Sequence, residues 1–423
     1  MFRPNVHDDR LPKAALAVLL LVALVLRVGW GLTRSDDLSA LPDQQEYVAI
    51  AESLLAGEGL AFSDERFGQV VRAYRMPGYP LLIAACGTNL TVVRIVQAFI
   101  DTSSVLAVVL LAWRFLPAKW SIVAGWFTAL NPFLIFFSAL ILTETLFIAL
   151  LLWGAALCCC VWRRSGGWWI GALILALSIL VRPAGIGLPL MIAGFAVVLH
   201  NRHPFNAGSR FPIPPVATVA LLMALVLTPW TLRNWHVVGE PIPTTTNSGV
   251  TLYDGLNPDA TGASDQTVLQ MMPQLRRMTE VERHQYLAGR AKLFVAEHPW
   301  RVAELTVVKA ARTWSPIPLS ADFGGRMLYV IIAAAWAIPL FLLTIVGVVR
   351  GRLAWSTIVF LLLPAVYVTL VHAVTVGSLR YRLPAEPFLG IIAAAGLHAL
   401  IQARGQSAPT PESIEVSADS NTA

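Results

Sequence analysis

Residues 14–32 read "AALAVLLLVALVLRVGWGL", a stretch in which Arg27 alone is charged. A run of that length spans the roughly 30 Å hydrocarbon core of a bilayer as a helix. It follows Arg3, Arg10 and Lys13, and no small-residue cleavage site of the A-x-A kind comes after it, so a retained first helix is expected. The rest of the chain agrees. Of its 423 residues 56% are hydrophobic and 13% charged, with a mean hydropathy of +0.65, whereas soluble domains carry about a quarter charged residues. Such a composition excludes a soluble globular domain and implies a polytopic membrane protein.

Apolar runs of about 20 residues place spans near 13–32, 90–113, 119–137, 140–162, 167–181, 184–199, 215–232, 326–349, 353–374 and 384–402. The expected fold class is all-α and polytopic, with about ten transmembrane helices. The fifth and sixth are short and separated only by "VRPAG" (181–185), as in a tight or re-entrant hairpin. With the N-terminus cytoplasmic, the short inside connections carry Arg114 and Lys119, Arg163 and Arg164, Arg202 and Arg210, Arg350 and Arg352, and Arg404, as the positive-inside rule requires. The long loops 33–89 and 233–325 then fall outside.

Both loops carry helical patterns. "EYVAIAESLLAGEGLAF" (46–62) has apolar residues at helical spacing and a Gly stop, and residues 281–314 repeat the pattern with a break at Pro299. Interfacial helices are expected there, with Trp300 and Trp314 at headgroup level. Residues 1–402 are read as a single membrane domain that includes both loops, and the polar, Pro-containing tail 403–423 as disordered and cytoplasmic. Cys86 and the run Cys158, Cys159, Cys160 read as small core residues, since adjacent cysteines in a helix make neither a disulfide framework nor a spaced metal site. The net charge of +6 sits between spans, so orientation in the membrane explains it and no nucleic-acid partner is expected. The chain shows no internal repeat, P-loop, GxGxxG or paired-histidine motif.

Ionisable residues next to apolar runs mark function, because each costs roughly 2.5–3.5 kcal/mol in lipid unless it is paired or lines a cavity. Here they gather at one membrane face: Asp43, Glu46, Arg72 and Arg75 in the first loop, Glu144 at the start of the fourth helix, Arg182, Arg233, and Arg380 with Arg382. Any one of them reads equally as a snorkelling anchor or a helix-start acid. Together, guanidinium forks that match phosphate and carboxylates that can take a proton from a hydroxyl suit group transfer from a phosphate-linked lipid.

The segments "PDQQEYVAIAESLLAGEGLAF", "YRMPGYPLLIA", "NPFLIFFSALILTETLF", "VRPAG", "TPWTLRNWHVVGEPIPTTTNSGVTLYDGLNP", "EHPW" and "RYRLPAEPFLGIIAAAGL", in this order, resemble the bacterial glycosyltransferases of the GT-C fold. Within these the chain is most similar to the protein mannosyltransferase and aminoarabinose transferase group, over about residues 15–402. The resemblance implies a polyprenyl-phosphate sugar as donor and a hydroxyl on a protein, lipid or glycan as acceptor. It makes Asp43 the general base and Glu144 a second catalytic acidic position. Arg72, Arg75, Arg182, Arg380 and Arg382 become donor-phosphate ligands, and Glu46, Tyr79, Arg233, Asn234 and Tyr381 substrate contacts. Loop 233–325, with its turn formers at 244–258, is the candidate lid. In the aminoarabinose branch an acidic metal ligand precedes the basic residue before "MPGYP"; here that neighbour is Tyr74, which argues against a metal of that type and leaves a divalent metal otherwise open. The implied place is the bacterial inner membrane, with the site facing outside the cytoplasm. A lipid-linked glycan flippase, or a polymerase or ligase using a pyrophosphate-linked donor, stands as the alternative.

Overall fold

The computed structural model describes residues 10–39, 41–160, 165–201, 215–320 and 324–406. In chain order these form α1 (Lys13–Leu32), α2 (Pro42–Leu55), β1 (Phe62–Asp64), β2 (Gln69–Val71), α3 (Gly78–Ala85), α4 (Leu90–Trp113), α5 (Ala118–Ala129), α6 (Pro132–Ser138), α7 (Glu144–Cys160), α8 (Ser165–Leu177), α9 (Leu188–Asn201), α10 (Pro215–Val238), α11 (Asn247–Gly255), α12 (Thr267–Gln270), α13 (Glu280–Glu297), α14 (Pro299–Thr313), α15 (Met327–Arg350), α16 (Trp355–Val374) and α17 (Glu386–Gln406). Six of them, α1, α4, α10, α15, α16 and α17, are long and apolar enough to cross a membrane, and α5 with α6 makes a seventh if that bent pair is one span. Helices α7, α8 and α9 are apolar but shorter.

The differences from the expected boundaries have local causes. The span expected over 119–137 bends by 55° between α5 and α6. Asn131 caps the new helix by accepting from the Phe133 and Leu134 amides at 2.9 and 3.3 Å, and Pro132 follows it, a residue that has no amide to continue the old one. The span expected from 140 starts as a helix only at Glu144, and α10 runs on past 232 to Val238, so Arg233 and Asn234 are helical. The first-loop helix begins at Pro42, four residues before Glu46, and ends at Leu55. Past that Gly stop, residues 60–62 lead into a β-hairpin in which Phe62 faces Val71 and Asp64 faces Gln69. Gly57 and Gly59, at φ of 79° and 84°, make that reversal. Among the described residues the fold is therefore helical with one short two-stranded sheet. The tail from 407, and Arg163, Arg164, Arg202 and Arg210, lie outside the described residues.

Helix α1 buries Leu19, Ala23, Arg27 and Gly31, spaced four apart on one face, and exposes Val18, Leu21, Val25 and Leu32 on the other, as a helix between protein and lipid should. Arg27 is fully buried against Asp101 of α4 and donates to the carbonyls of Ala129 and Thr128 at 2.9 and 3.1 Å. It is an ion pair within apolar helices, the two charges matching each other and Arg27 also donating to freed helix-end carbonyls. Helices α15 and α17 approach so closely that a side chain at Gly347 would meet the Ile392 carbonyl and one at Gly396 the Leu343 carbonyl.

At one end of the bundle the two long loops share a second core. Ile50, Phe62, Phe67, Val71 and Tyr74 from the first pack with Val250, Tyr253, Leu256, Leu287, Phe294 and Leu305 from the second. Helix α13 starts at a capping box in which Thr279 and Glu282 satisfy each other's backbone amides, and Pro299 separates it from α14, as the sequence pattern implied. Trp300 is 87% exposed, whereas Trp314 donates to Thr369 Oγ1 at 2.7 Å and packs edge-on against Phe341.

Candidate functional site

The floor of this loop layer carries a line of alternating charges. Arg66, in the turn of the hairpin, donates to Asp64 and to Glu46, both at 2.8 Å. Glu46, one turn into α2, accepts from Arg75 Nε at 2.7 Å, and Arg75 Nη2 also donates to Asp43 Oδ1 at 2.5 Å. The other oxygen of Asp43 accepts from Arg380 Nη1 at 2.9 Å. Arg380 Nε reaches Glu144, which also accepts from Arg182 Nη1 at 2.6 Å. The order is Asp64, Arg66, Glu46, Arg75, Asp43, Arg380, Glu144, Arg182: four carboxylates and four guanidiniums drawn from the first long loop, α7, the turn after α8 and the segment before α17.

Local sequence explains how each is delivered. Asp43 is at the second position of α2, after Pro42, where a carboxylate meets the positive end of the helix. Glu144 begins α7 for the same electrostatic reason. Arg380 and Tyr381 sit in the 3₁₀ turn Leu379–Arg382, whose start is capped by the Ser378 side chain. Tyr381 is stacked on His372 with ring centroids 3.8 Å apart, and the Arg182 guanidinium lies 5.7 Å from its ring.

Asp43, Arg75, Arg380 and Tyr381 line a cavity of about 640 Å³. Its walls differ. One is apolar, built by Phe133, Phe136 and Phe137 around the α5–α6 break with Ile332 and Ala333 of α15; the other presents Asn247, Thr251 and Asp254 of α11 with Ser264, Gln266 and Arg312. Burial would push the Asp43 carboxyl up, but the Arg75 and Arg380 guanidiniums outweigh it and hold the group well below the usual carboxylate range. For Glu46, burial wins over the attraction of Arg75 and Arg66 and its carboxyl is pushed up. Glu144 Oε2 is buried with no hydrogen-bond partner.

Other candidates from the sequence stand elsewhere. Arg72 has its side chain exposed and meets Glu280 only through its backbone amide. Arg233 donates to the carbonyls of Arg72 and Leu60 at 2.6 and 2.9 Å, and Asn234 to that of Ile242 at 2.8 Å, so both fasten the loops to the end of α10. Tyr79 is fully buried, donating to Gln97 and edge-on to Tyr47. Arg382, two residues from Arg380, points away from the cavity into a fully buried pair with Glu386 at 2.6 Å. None of these five lines the cavity.

Sequence reasoning missed Arg66 and Asp254. Arg66 lies in an exposed-looking hairpin, "SDERFGQ", with no apolar run beside it to raise its cost. Asp254 falls in a stretch read as turns that folds as α11; it is buried, accepting from Ser264 Oγ at 2.6 Å and the Asp265 amide at 2.8 Å. Among the described residues no three His, Cys, Asp or Glu side chains converge to hold a metal, and the carboxylates of the line each face a guanidinium.

No family model matches this sequence, and no curated protein sequence matches it either. Solved structures of archaeal oligosaccharyltransferase do match it in fold. The apo oligosaccharyltransferase of Archaeoglobus fulgidus superposes with a TM-score of 0.53 at 12% identity over 92% of this chain and 50% of that one. The oligosaccharyltransferase AglB of the same organism, in complex with an inhibitory peptide and a dolichol-phosphate, superposes with a TM-score of 0.51 at 12% identity over 94% and 52%. This chain thus spans about half the length of the structures it matches. Identity this low speaks to architecture alone, and the architecture is that of the GT-C fold.

Proposed function

We propose that the protein is an integral-membrane glycosyltransferase that moves a sugar from a polyprenyl-phosphate donor to a hydroxyl acceptor. The observation that carries this reading is the placing of Asp43, between two guanidiniums, in the wall of a cavity apolar on one side and polar on the other. The aromatic wall suits a polyprenyl chain, the polar wall a sugar and acceptor, and the guanidiniums between them a phosphate. That the oligosaccharyltransferase of like fold is solved with a peptide and a dolichol-phosphate supports the choice of donor.

The electrostatics require an order of events. With both oxygens held by arginine, Asp43 is a poor base. A donor phosphate competes for the Arg75 and Arg380 donors, and as it draws them away the Asp43 carboxylate regains basicity. Asp43 then takes the proton of the acceptor hydroxyl, whose oxygen attacks the anomeric carbon opposite the phosphate. The new glycosidic bond forms as the bond from that carbon to the phosphate oxygen breaks, inverting the centre. The lipid phosphate leaves with the electron pair, its charge met by the arginines, and the proton passes from Asp43 to water. Glu144 holds Arg380 and Arg182 in place.

The rest of the reading goes with it: ten spans, counting α5–α6 as one and α7, α8 and α9 as short spans; one membrane domain through residue 402; the cytoplasmic membrane of a bacterium; and the loop layer outside the cytoplasm. A monophosphate donor is favoured over a pyrophosphate by the resemblance to transferases that use polyprenyl-phosphate sugars. The test is transfer of label from a panel of radiolabelled polyprenyl-phosphate sugars to membrane acceptors by purified protein. Asp43→Asn is expected to lower transfer at least about a hundredfold while donor binding persists. Undiminished transfer by Asp43→Asn defeats the base assignment. Labelled lipid crossing a sealed liposome with no donor consumed defeats the enzyme reading in favour of a flippase.

A further inference from the structure

Beside the cleft lies a second cavity, of about 530 Å³, bounded by the turn after α1, by α4 and by the start of α15. Leu41, Phe136, Leu140 and Tyr329 line both cavities and divide them. The two differ in charge state. Along the line of charges each guanidinium meets a carboxylate, whereas Arg34 and Arg326 in the second cavity have no carboxylate partner among the described residues.

Ring faces hold these two arginines. The Arg34 guanidinium lies 4.0 Å from the Trp30 ring centroid and that of Arg326 lies 5.7 Å from Tyr329. A contact through the flat face of a guanidinium leaves its in-plane N–H donors unused. Arg34 Nε is in fact buried with no acceptor. A third arginine, Arg94, is 5% exposed; Asp36 and the Ser35 carbonyl fix two of its nitrogens, both at 2.7 Å, and its Nε is likewise buried without an acceptor. Asp37 is the one carboxylate in the wall, and it accepts from the Ser39 amide. A cavity holding this many unused guanidinium donors is built for an anion with several acceptor oxygens. It opens where α1 ends, and α1 exposes Val18, Leu21 and Val25 along its length, an apolar track leading to the cavity.

We infer that this cavity is a second phosphate site, one that takes the headgroup of an anionic lipid whose chains run along α1, separate from the donor cleft. It follows from charge and position and stands whether or not the cleft transfers sugar.

The experiment is equilibrium binding of radiolabelled dioctanoyl phosphatidic acid to the full-length protein in detergent, with unlabelled dioctanoylglycerol and inorganic phosphate as competitors. The paired variant Arg34→Gln, Arg326→Gln is expected to bind at least tenfold more weakly with an unchanged melting temperature, because among the described residues neither side chain bonds a carboxylate. Arg380→Gln is expected to bind as the wild type does, and dioctanoylglycerol to compete at least tenfold less well than phosphatidic acid. Wild-type affinity in the paired variant overturns the inference. So does competition by inorganic phosphate at the concentrations at which phosphatidic acid itself competes, which would make the site one for free phosphate. Loss of binding in Arg380→Gln would place the lipid in the cleft and overturn it equally.

Discussion

Arg380 donates to Asp43 at 2.9 Å across 337 positions of sequence. The same guanidinium reaches Glu144, so one side chain joins the acid of the first loop to the acid of α7. Its near neighbour Arg382 is turned the other way, into a buried pair with Glu386. The two arginines should therefore fail differently. Arg380→Gln is expected to raise the dissociation constant for a polyprenyl-phosphate sugar at least about tenfold. Arg382→Gln is expected to cost about 3–5 kcal/mol of stability by leaving Glu386 buried and alone, with donor affinity of the folded protein unchanged. Equal loss of donor affinity in both would show that the cavity extends to Arg382.

The Arg27–Asp101 pair offers a test of what a charge inside the bundle is for. Arg27→Met or Asp101→Leu alone should destabilise by about 3–5 kcal/mol, because each leaves the other charge unmatched. The two together should recover most of that loss, since similar volume without charge removes the desolvation penalty as well as the attraction. Unfolding in mixed micelles measures both. A double variant as unstable as either single one would mean that the bonds to the Thr128 and Ala129 carbonyls matter more than the ion pair.

Asp43 gives stability a defined dependence on acid. Its carboxyl is depressed in the folded chain relative to the ordinary value of about 3.9. The unfolded chain therefore takes up that proton first, and the contribution is complete above about pH 5 and lost as pH falls further. The gap in melting temperature between wild type and Asp43→Asn should be constant near neutrality and close on acidification. A gap that holds unchanged to the lowest pH at which both still fold would show that Asp43 does not carry the charge assigned to it.

Lys309 should act in the opposite range. It is buried in α14, donating to the Val374 carbonyl at 3.0 Å, and burial draws its amine down to about 8 despite Asp254 nearby. Folding then opposes the charged amine, so wild type should gain stability relative to Lys309→Met as pH rises from 8 towards 10, where the unfolded chain alone keeps the proton. A difference between the two that is flat over that interval would mean that Lys309 is as well solvated folded as unfolded.

What the sequence announced and what it withheld divide along physical lines. Hydrophobic length is a local property, so the six long spans and the paired loop helices broken at Pro299 were readable directly. Helix starts set by single caps, such as Asn131, and the hairpin at 62–71 depend on a few bonds that average away in a window of 20 residues. The site was legible where charge abutted an apolar run: Asp43, Glu46, Arg75, Glu144, Arg182, Arg380 and Tyr381 do meet. Proximity to a span could not tell Arg380 from Arg382, because direction within a 3₁₀ turn is fixed by what packs on either side. Nor could it find Arg66, whose importance comes from long-range partners such as Gln266.

Synthesis runs through the line of charges from one end, and Arg380 comes last. Residues up to Arg182 complete two separate groups, Asp64–Arg66–Glu46–Arg75–Asp43 and Glu144–Arg182, which among the described residues only Arg380 joins. At roughly 5–20 residues per second, the ribosome needs on the order of half a minute to travel from Asp43 to that residue. A message cut short between codon 182 and codon 380 thus encodes a chain with both halves of the line, but nothing to connect them.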